Sequence, residues 1–251
     1  MARGSKSDGK RSLGLSRAPD ERWSQFAERV ANAFGLVLIL VLATYVLGSL
    51  TPAHGWTSVL TTVVASSAAV VALAGAEARP IVLRSAFLLA VAAVVLAALA
   101  AITGDQALLG ASGLIMALLL LTAAAAILRT IVTETEVGFR TILGAISVYT
   151  ILGLLFTFLY VGLDRIQSTP FFGTGVSLDR GDFLFFSFTT LTTTGYGNLI
   201  PAAQPGKMFA GLEMLMGQIF LVTLVAGLVS LWRPGGLIGR RRGGRGRAAQ
   251  S

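Results

Sequence analysis

The chain has no cysteine, a single histidine, and few charges: 13% of its 251 residues are Asp, Glu, Lys or Arg. Without cysteine there is no disulfide framework and no thiol chemistry, though this says nothing about compartment for a chain that lives in lipid. One histidine excludes a histidine-rich metal cluster. His54 sits in a short link between two apolar runs, where it is solvated. The scarcity of charge is the stronger constraint. Soluble domains carry about 25% charged residues. Here 54% of residues are hydrophobic and the mean hydropathy is +0.76. The class is an integral membrane protein. Its apolar runs are too long for the roughly ten-residue alternating strands of a membrane barrel, so the fold is expected to be all-α. No catalytic triad, metal cluster or phosphate loop is present, and no enzymatic activity is expected. The formal net charge of +8 does not point to nucleic acid, because the basic residues gather at the two ends.

In chain order, residues 1–32 form a cytoplasmic N-terminal segment. Its first part is polar and expected to be disordered. From Pro19 the spacing of Trp23, Phe26 and Val30 predicts an amphipathic helix lying at the membrane surface. The first apolar run starts late, is long and lacks a cleavage site, which argues against a removed signal peptide. Six runs follow, at residues 33–50, 57–75, 82–102, 107–128, 141–162 and 208–232. Each approaches the roughly 20 residues needed to cross a bilayer. Lys and Arg alternate between links. The first link has none, the second has Arg79 and Arg84, the third has only Asp105, and the fourth has Arg129 and Arg140. Both termini are basic, so both fall on the cytoplasmic side. The segment between the fifth and sixth runs then falls outside, in a multi-pass protein of the plasma membrane.

That segment contains residues 187–201, SFTTLTTTGYGNLIP. Two glycines flank one tyrosine straight after a run of threonines. Glycine adopts backbone angles that other residues avoid, so glycine at alternate positions can turn successive carbonyls to one side. With the Thr193 hydroxyl, those carbonyls would make a column of oxygen ligands for a dehydrated cation, with the Tyr196 ring bracing the strand. A short amphipathic stretch precedes the string. Asp182 is a reasonable N-cap for the helix FLFFSFTTL, which is too short to span and aims its negative C-terminal end at the column.

Thr193-Thr194-Gly195-Tyr196-Gly197 resembles the TVGYG selectivity filter of potassium channels, with Thr194 for the usual Val and Asn198 for the usual Asp. The resemblance is specific over residues 141–232 and architectural over 33–128. It implies six transmembrane helices, a re-entrant pore helix and a tetrameric cation-channel fold. The carbonyls of Thr193, Thr194, Gly195 and Tyr196 would line the K⁺ sites, the Thr193 hydroxyl would add the innermost set, and Gly197 would shape the outer mouth. Thr189, Thr190 and Thr192 would support the filter through hydrogen bonds. Gly217, twenty residues after Gly197, and Gly227 are candidate gating hinges, with close helix packing as the alternative use of Gly217. Glu213, the only acid of the sixth run, would face the back of the filter or simply a neighbouring helix. K⁺ is the permeant ion and no cofactor is implied.

One chain carries one filter string, so a pore needs a homotetramer. The remaining parts are a four-helix sensor-like unit at 33–128, a linker at 129–140 that would ride along the inner membrane face, and a basic tail at 233–251 that sets topology and would attract anionic lipid. Two other functions stay open: a weakly selective cation channel, because of Thr194 and Asn198, and a non-conducting membrane scaffold that keeps the pore fold.

A voltage sensor needs basic residues repeated along a span, since moving charge through the field supplies the work. Residues 107–128 contain no charge. Little intrinsic voltage dependence is therefore expected from the first four runs. Recordings in planar bilayers check this, and a steep activation curve carrying several gating charges contradicts it.

Overall fold

The computed structural model describes residues 19–51, 55–133, 139–173 and 178–231. Those residues form seven helices: α1 (Pro19–Leu50), α2 (Trp56–Gly75), α3 (Pro80–Thr103), α4 (Gln106–Thr133), α5 (Phe139–Ile166), α6 (Arg180–Leu191) and α7 (Gly206–Leu231). No strand occurs among the described residues. Six of these helices are long and apolar enough to cross a membrane, and their apolar windows lie within a few residues of the six runs expected. The architecture is an all-α membrane fold. His54, the acids Glu134 and Glu136, the extreme N-terminus and the basic tail lie outside the described residues.

Two boundaries differ from the sequence reading. The surface helix expected from Pro19 is not a separate element; α1 runs unbroken from Pro19 to Leu50. Pro19 suits the first helical position, and no glycine or proline follows until Gly35 to interrupt it. The side chains of Trp23, Phe26 and Val30 lie outside those described. The linker placed at 129–140 also starts later, because α4 continues to Thr133.

Turn chemistry explains the joints. Pro80 occupies the first turn of α3, and Gly104 ends it in the left-handed region at φ 73°. Asp105 then opens α4 by accepting the Ala107 amide at 2.8 Å. Small residues let the helices approach: Ala65, Ala68, Ala69 and Ala72 on α2 and Ala86, Ala90 and Ala93 on α3 are buried. Hydroxyls add bonds between helices, with Ser112 Oγ donating to the Ala93 carbonyl at 2.8 Å and Ser66 Oγ to Met116 Sδ at 3.2 Å.

The helix that joins this unit to the rest is α5. It packs most extensively on α4 and touches α1, α6 and α7 as well. Of its apolar window 72% is buried, against 17% for that of α7. One face of α7 (Leu215, Ile219, Val222 and Val225) is thus open in the protomer.

The α4–α5 seam is tight at Gly113. A Cβ there would lie 3.0 Å from the Phe158 carbonyl oxygen and 3.3 Å from Gly162 Cα, both backbone atoms that cannot swing aside. Gly113→Val is expected to lower stability by about 1–3 kcal/mol, the usual cost of overpacking. Thermal unfolding of the purified protein in detergent reads this directly, and an unchanged midpoint contradicts it.

Candidate ion pathway around residues 192–198

The site is built on α6, which has 12 residues. At about 1.5 Å per residue it is roughly 18 Å long, well short of the roughly 30 Å hydrocarbon core. The ends of a helix too short to cross must be covered by protein or face water. At its start Asp179, not Asp182, is the N-cap. The Asp179 carboxylate accepts the Arg180 amide at 2.8 Å. Asp182 sits three residues on and its carboxylate accepts the Asp179 amide at 2.9 Å. The two acids form a reciprocal capping box, which moves the helix start three residues earlier than expected.

Arg180 lies in that first turn yet is only 3% exposed. Its Nη2 donates to Ser58 Oγ of α2 at 3.0 Å, and its guanidinium carbon lies 5.9 Å from the centroid of the Phe158 ring of α5. An arginine keeps its charge in proteins, so this first turn holds a buried cation.

At the other end the chain leaves the helix and turns back on it. Thr192 N donates to the Phe188 carbonyl at 3.1 Å, Thr193 N to that of Thr190 at 2.9 Å, Thr194 N to that of Thr189 at 2.8 Å, and Gly195 N to the same Thr189 carbonyl at 3.1 Å. The amides thus point back into the helix end. Backbone φ is positive at Thr193 (57°), Gly195 (51°) and Gly197 (77°), and at neither residue between them. Alternation of hand along a short segment turns its carbonyls to a common side, away from the amides. Glycine adopts this hand freely. A β-branched threonine does so at a cost of about 1–3 kcal/mol, so Thr193 must be held by its surroundings.

Hydroxyls provide part of that hold. Thr192 Oγ1 donates to the Phe188 carbonyl at 2.7 Å and lies 2.9 Å from Thr194 Oγ1. Its one proton is used, so Thr194 is the donor of that second bond. The Thr194 side chain therefore turns back towards the helix end, as a valine of the same shape would, with its hydroxyl satisfied. Thr189 contributes its carbonyl to the amides of Thr194 and Gly195, while its own hydroxyl bonds the Phe186 carbonyl at 3.0 Å. The Tyr196 ring stacks on Phe185 of α6, centroids 5.5 Å apart and planes at 20°. Residues 192–198 are all exposed in the protomer.

Glu213 is fully buried behind α6. Its carboxyl takes the Tyr160 hydroxyl of α5 at 2.7 Å and the Ser187 hydroxyl of α6 at 2.5 Å. Ser187 Oγ also lies 2.7 Å from the Gly153 carbonyl of α5. One acid on α7 therefore joins the three helices that surround the string. Neither Tyr160 nor Ser187 stands out in the sequence as its partner. The same holds for Tyr149, whose hydroxyl reaches the Leu191 carbonyl at 3.3 Å, and for Gln218, whose Nε2 lies 2.9 Å from Thr193 Oγ1.

The two glycines of α7 differ. A Cβ at Gly217 would overlap the Leu191 carbonyl at the end of α6, whereas one at Gly227 would meet nothing within 4 Å. Gly217 is a point of close approach between α7 and α6.

With this geometry in view, residues 115–233 match a family model described as Ion channel. The match begins within α4 and runs through α5, α6, the glycine string and α7, just under half of the chain, so this part of the protein carries an ion-channel domain. Comparison with curated proteins and with solved structures yields no significant match.

Gly217→Ala is expected to destabilise the folded protein by about 1–3 kcal/mol, since the added methyl must displace backbone rather than a side chain. Gly227→Ala should be neutral or slightly stabilising, as for glycine in any open helix position. Parallel thermal melts of the two variants test the contrast. Equal tolerance at both positions would remove the packing role of Gly217.

Proposed function

We propose that the protein is a potassium-selective channel, in which four copies bring their Thr193–Gly197 segments together around one axis. The observation that carries this reading is the alternation of positive φ at residues 193, 195 and 197, with the amides of residues 192–195 returned to the end of α6. That arrangement leaves the carbonyls of Thr193, Thr194, Gly195 and Tyr196 free to replace the hydration shell of K⁺. The negative end of α6 favours a cation beneath them. Conduction is passive, with neighbouring ions displacing one another, and the electrochemical gradient sets its direction.

The constraint on backbone in lipid supports an assembly of several copies around an axis. Exposed, irregular polar backbone at membrane depth is tolerated only where protein covers it or water fills a cavity. A single protomer leaves residues 192–198 and the apolar face of α7 open; copies around an axis would cover both. In this reading both termini are cytoplasmic and the string faces outward, as the distribution of Lys and Arg suggests. Thr189, Thr192 and Glu213 hold the filter rather than touch ions, and of the two candidate hinges Gly227 is the one with room for a side chain. The basic tail meets anionic lipid.

Ion flux into liposomes containing the purified protein tests this, with Na⁺ as the competing ion and Gly195→Asp as the control. Flux should prefer K⁺ by at least tenfold and vanish in the variant, whose side chain cannot follow φ 51° without strain. Equal flux of K⁺ and Na⁺ would replace this reading with a weakly selective cation channel. Tetramers that pass neither ion under any condition would favour a scaffold.

A further inference from the structure

Gln218 is the one amide side chain of α7, and it is not part of the string, yet it reaches the string's first residue. Its Nε2 lies 2.9 Å from Thr193 Oγ1. The direction of that bond follows from counting protons. The Thr193 hydroxyl has one proton and two lone pairs, and the proton is directed to the Thr192 carbonyl at 2.7 Å. Gln218 must then be the donor, which settles the orientation of its amide. One lone pair of Thr193 Oγ1 remains. Thr193 also has the least comfortable backbone of the string, at φ 57°, so its hydroxyl orientation depends on contacts of this kind.

Resting on the channel reading above, we infer that Gln218 is a positioning residue for the innermost ion ring. Its amide holds the Thr193 hydroxyl in one orientation and occupies one of its lone pairs, which weakens that ring's grip on a cation arriving from the inner side. In the assembly each of the four copies supplies one such amide. The neighbouring Gly217 brings this about, because close approach of α7 to the end of α6 is what puts residue 218 within reach of residue 193.

Ba²⁺ is the probe. It is close to K⁺ in size and carries twice the charge, so a ring of oxygen ligands holds it more tightly than K⁺. The measurement is Ba²⁺ block of K⁺ flux in full-length tetramers, for wild type, Gln218→Leu, Thr193→Ala and the double variant. Gln218→Leu should block at least fivefold more tightly than wild type, and the change should disappear on the Thr193→Ala background, since the cycle isolates the pair. A purely structural role for Gln218 would give the same change on both backgrounds, and that result overturns the inference. So does a Gln218→Leu channel with wild-type flux whose block shifts less than twofold. If Gln218→Leu does not assemble, Gln218→Met, which keeps the length and loses the donor, takes its place. As a second readout, the Ba²⁺-dependent thermal shift of the purified tetramers should follow the same order and needs no open gate. Failure of the wild type to pass K⁺ selectively would overturn the channel reading and this inference together, whereas selective wild-type flux with an unmoved Gln218→Leu overturns this inference alone.

Discussion

The final carbonyls of α6 have no further helical turn to supply their donors. They accept instead the amides of the residues that follow, with Thr189 taking both Thr194 N and Gly195 N. This exchange is what the surrounding structure depends on. It fixes the string against a rigid element and spends the amides of residues 192–195, while of their carbonyls only that of Thr192 takes a bond, from the Thr193 hydroxyl. A chain that merely turned between two helices would have no reason to place both groups so consistently. The left-handed backbone at Thr193 follows from the same exchange, as does the need for hydroxyl and amide contacts around it.

A short helix can serve as such a platform only if it does not move. Three anchors hold it. The reciprocal acids Asp179 and Asp182 close its first turn, and Arg180 ties that turn to α2. Midway, the Glu213 carboxyl gathers Ser187 and Tyr160. At the far end Gly217 lets α7 press on the Leu191 carbonyl, which also receives the Tyr149 hydroxyl. Bonds of this kind are worth about 0.5–1.5 kcal/mol each in net terms, but leaving one buried partner unsatisfied costs about 1–3 kcal/mol. The three anchors therefore act more through what their loss would expose than through what each adds.

How much of this was legible beforehand depended on whether the signal was local. The six apolar runs are local, since hydropathy over about 20 residues is enough to mark a membrane-length helix, and they matched closely. In the TTGYG string the left-handed backbone was legible at Gly195 and Gly197, where glycine placement announces it, but not at Thr193. The helix cap was ambiguous for a physical reason. Asp179 and Asp182 are both competent caps, and only the reciprocity of the box decides between them. The surface helix before the first run failed as a separate element because nothing in residues 20–34 breaks a helix. Gln218, Tyr149 and Tyr160 escaped notice because their partners lie 25, 42 and 53 residues away. No periodicity or motif ties a side chain to a partner at such distances. Gly217 shows the limit from the other side: its spacing from Gly197 suits a hinge and a packing contact equally, and only the position of the Leu191 carbonyl separates them.

Arg180 constrains the order in which the molecule is built. An arginine in a helix centred in the bilayer costs about 2.5–3.5 kcal/mol on insertion scales, so α6 would be a poor candidate to enter the membrane by itself. Ser58 and the Phe158 ring receive part of its guanidinium, and Nε and Nη1 stay buried without a hydrogen-bond partner in the protomer. Both residues precede it in the chain, and synthesis runs from the N-terminus, so the receiving surface exists before the charge arrives. Ser58 lies on α2 and Phe158 on α5, so α2 and α5 together form the surface that receives it. A protomer stripped of them would have to expose this guanidinium or find it a new partner.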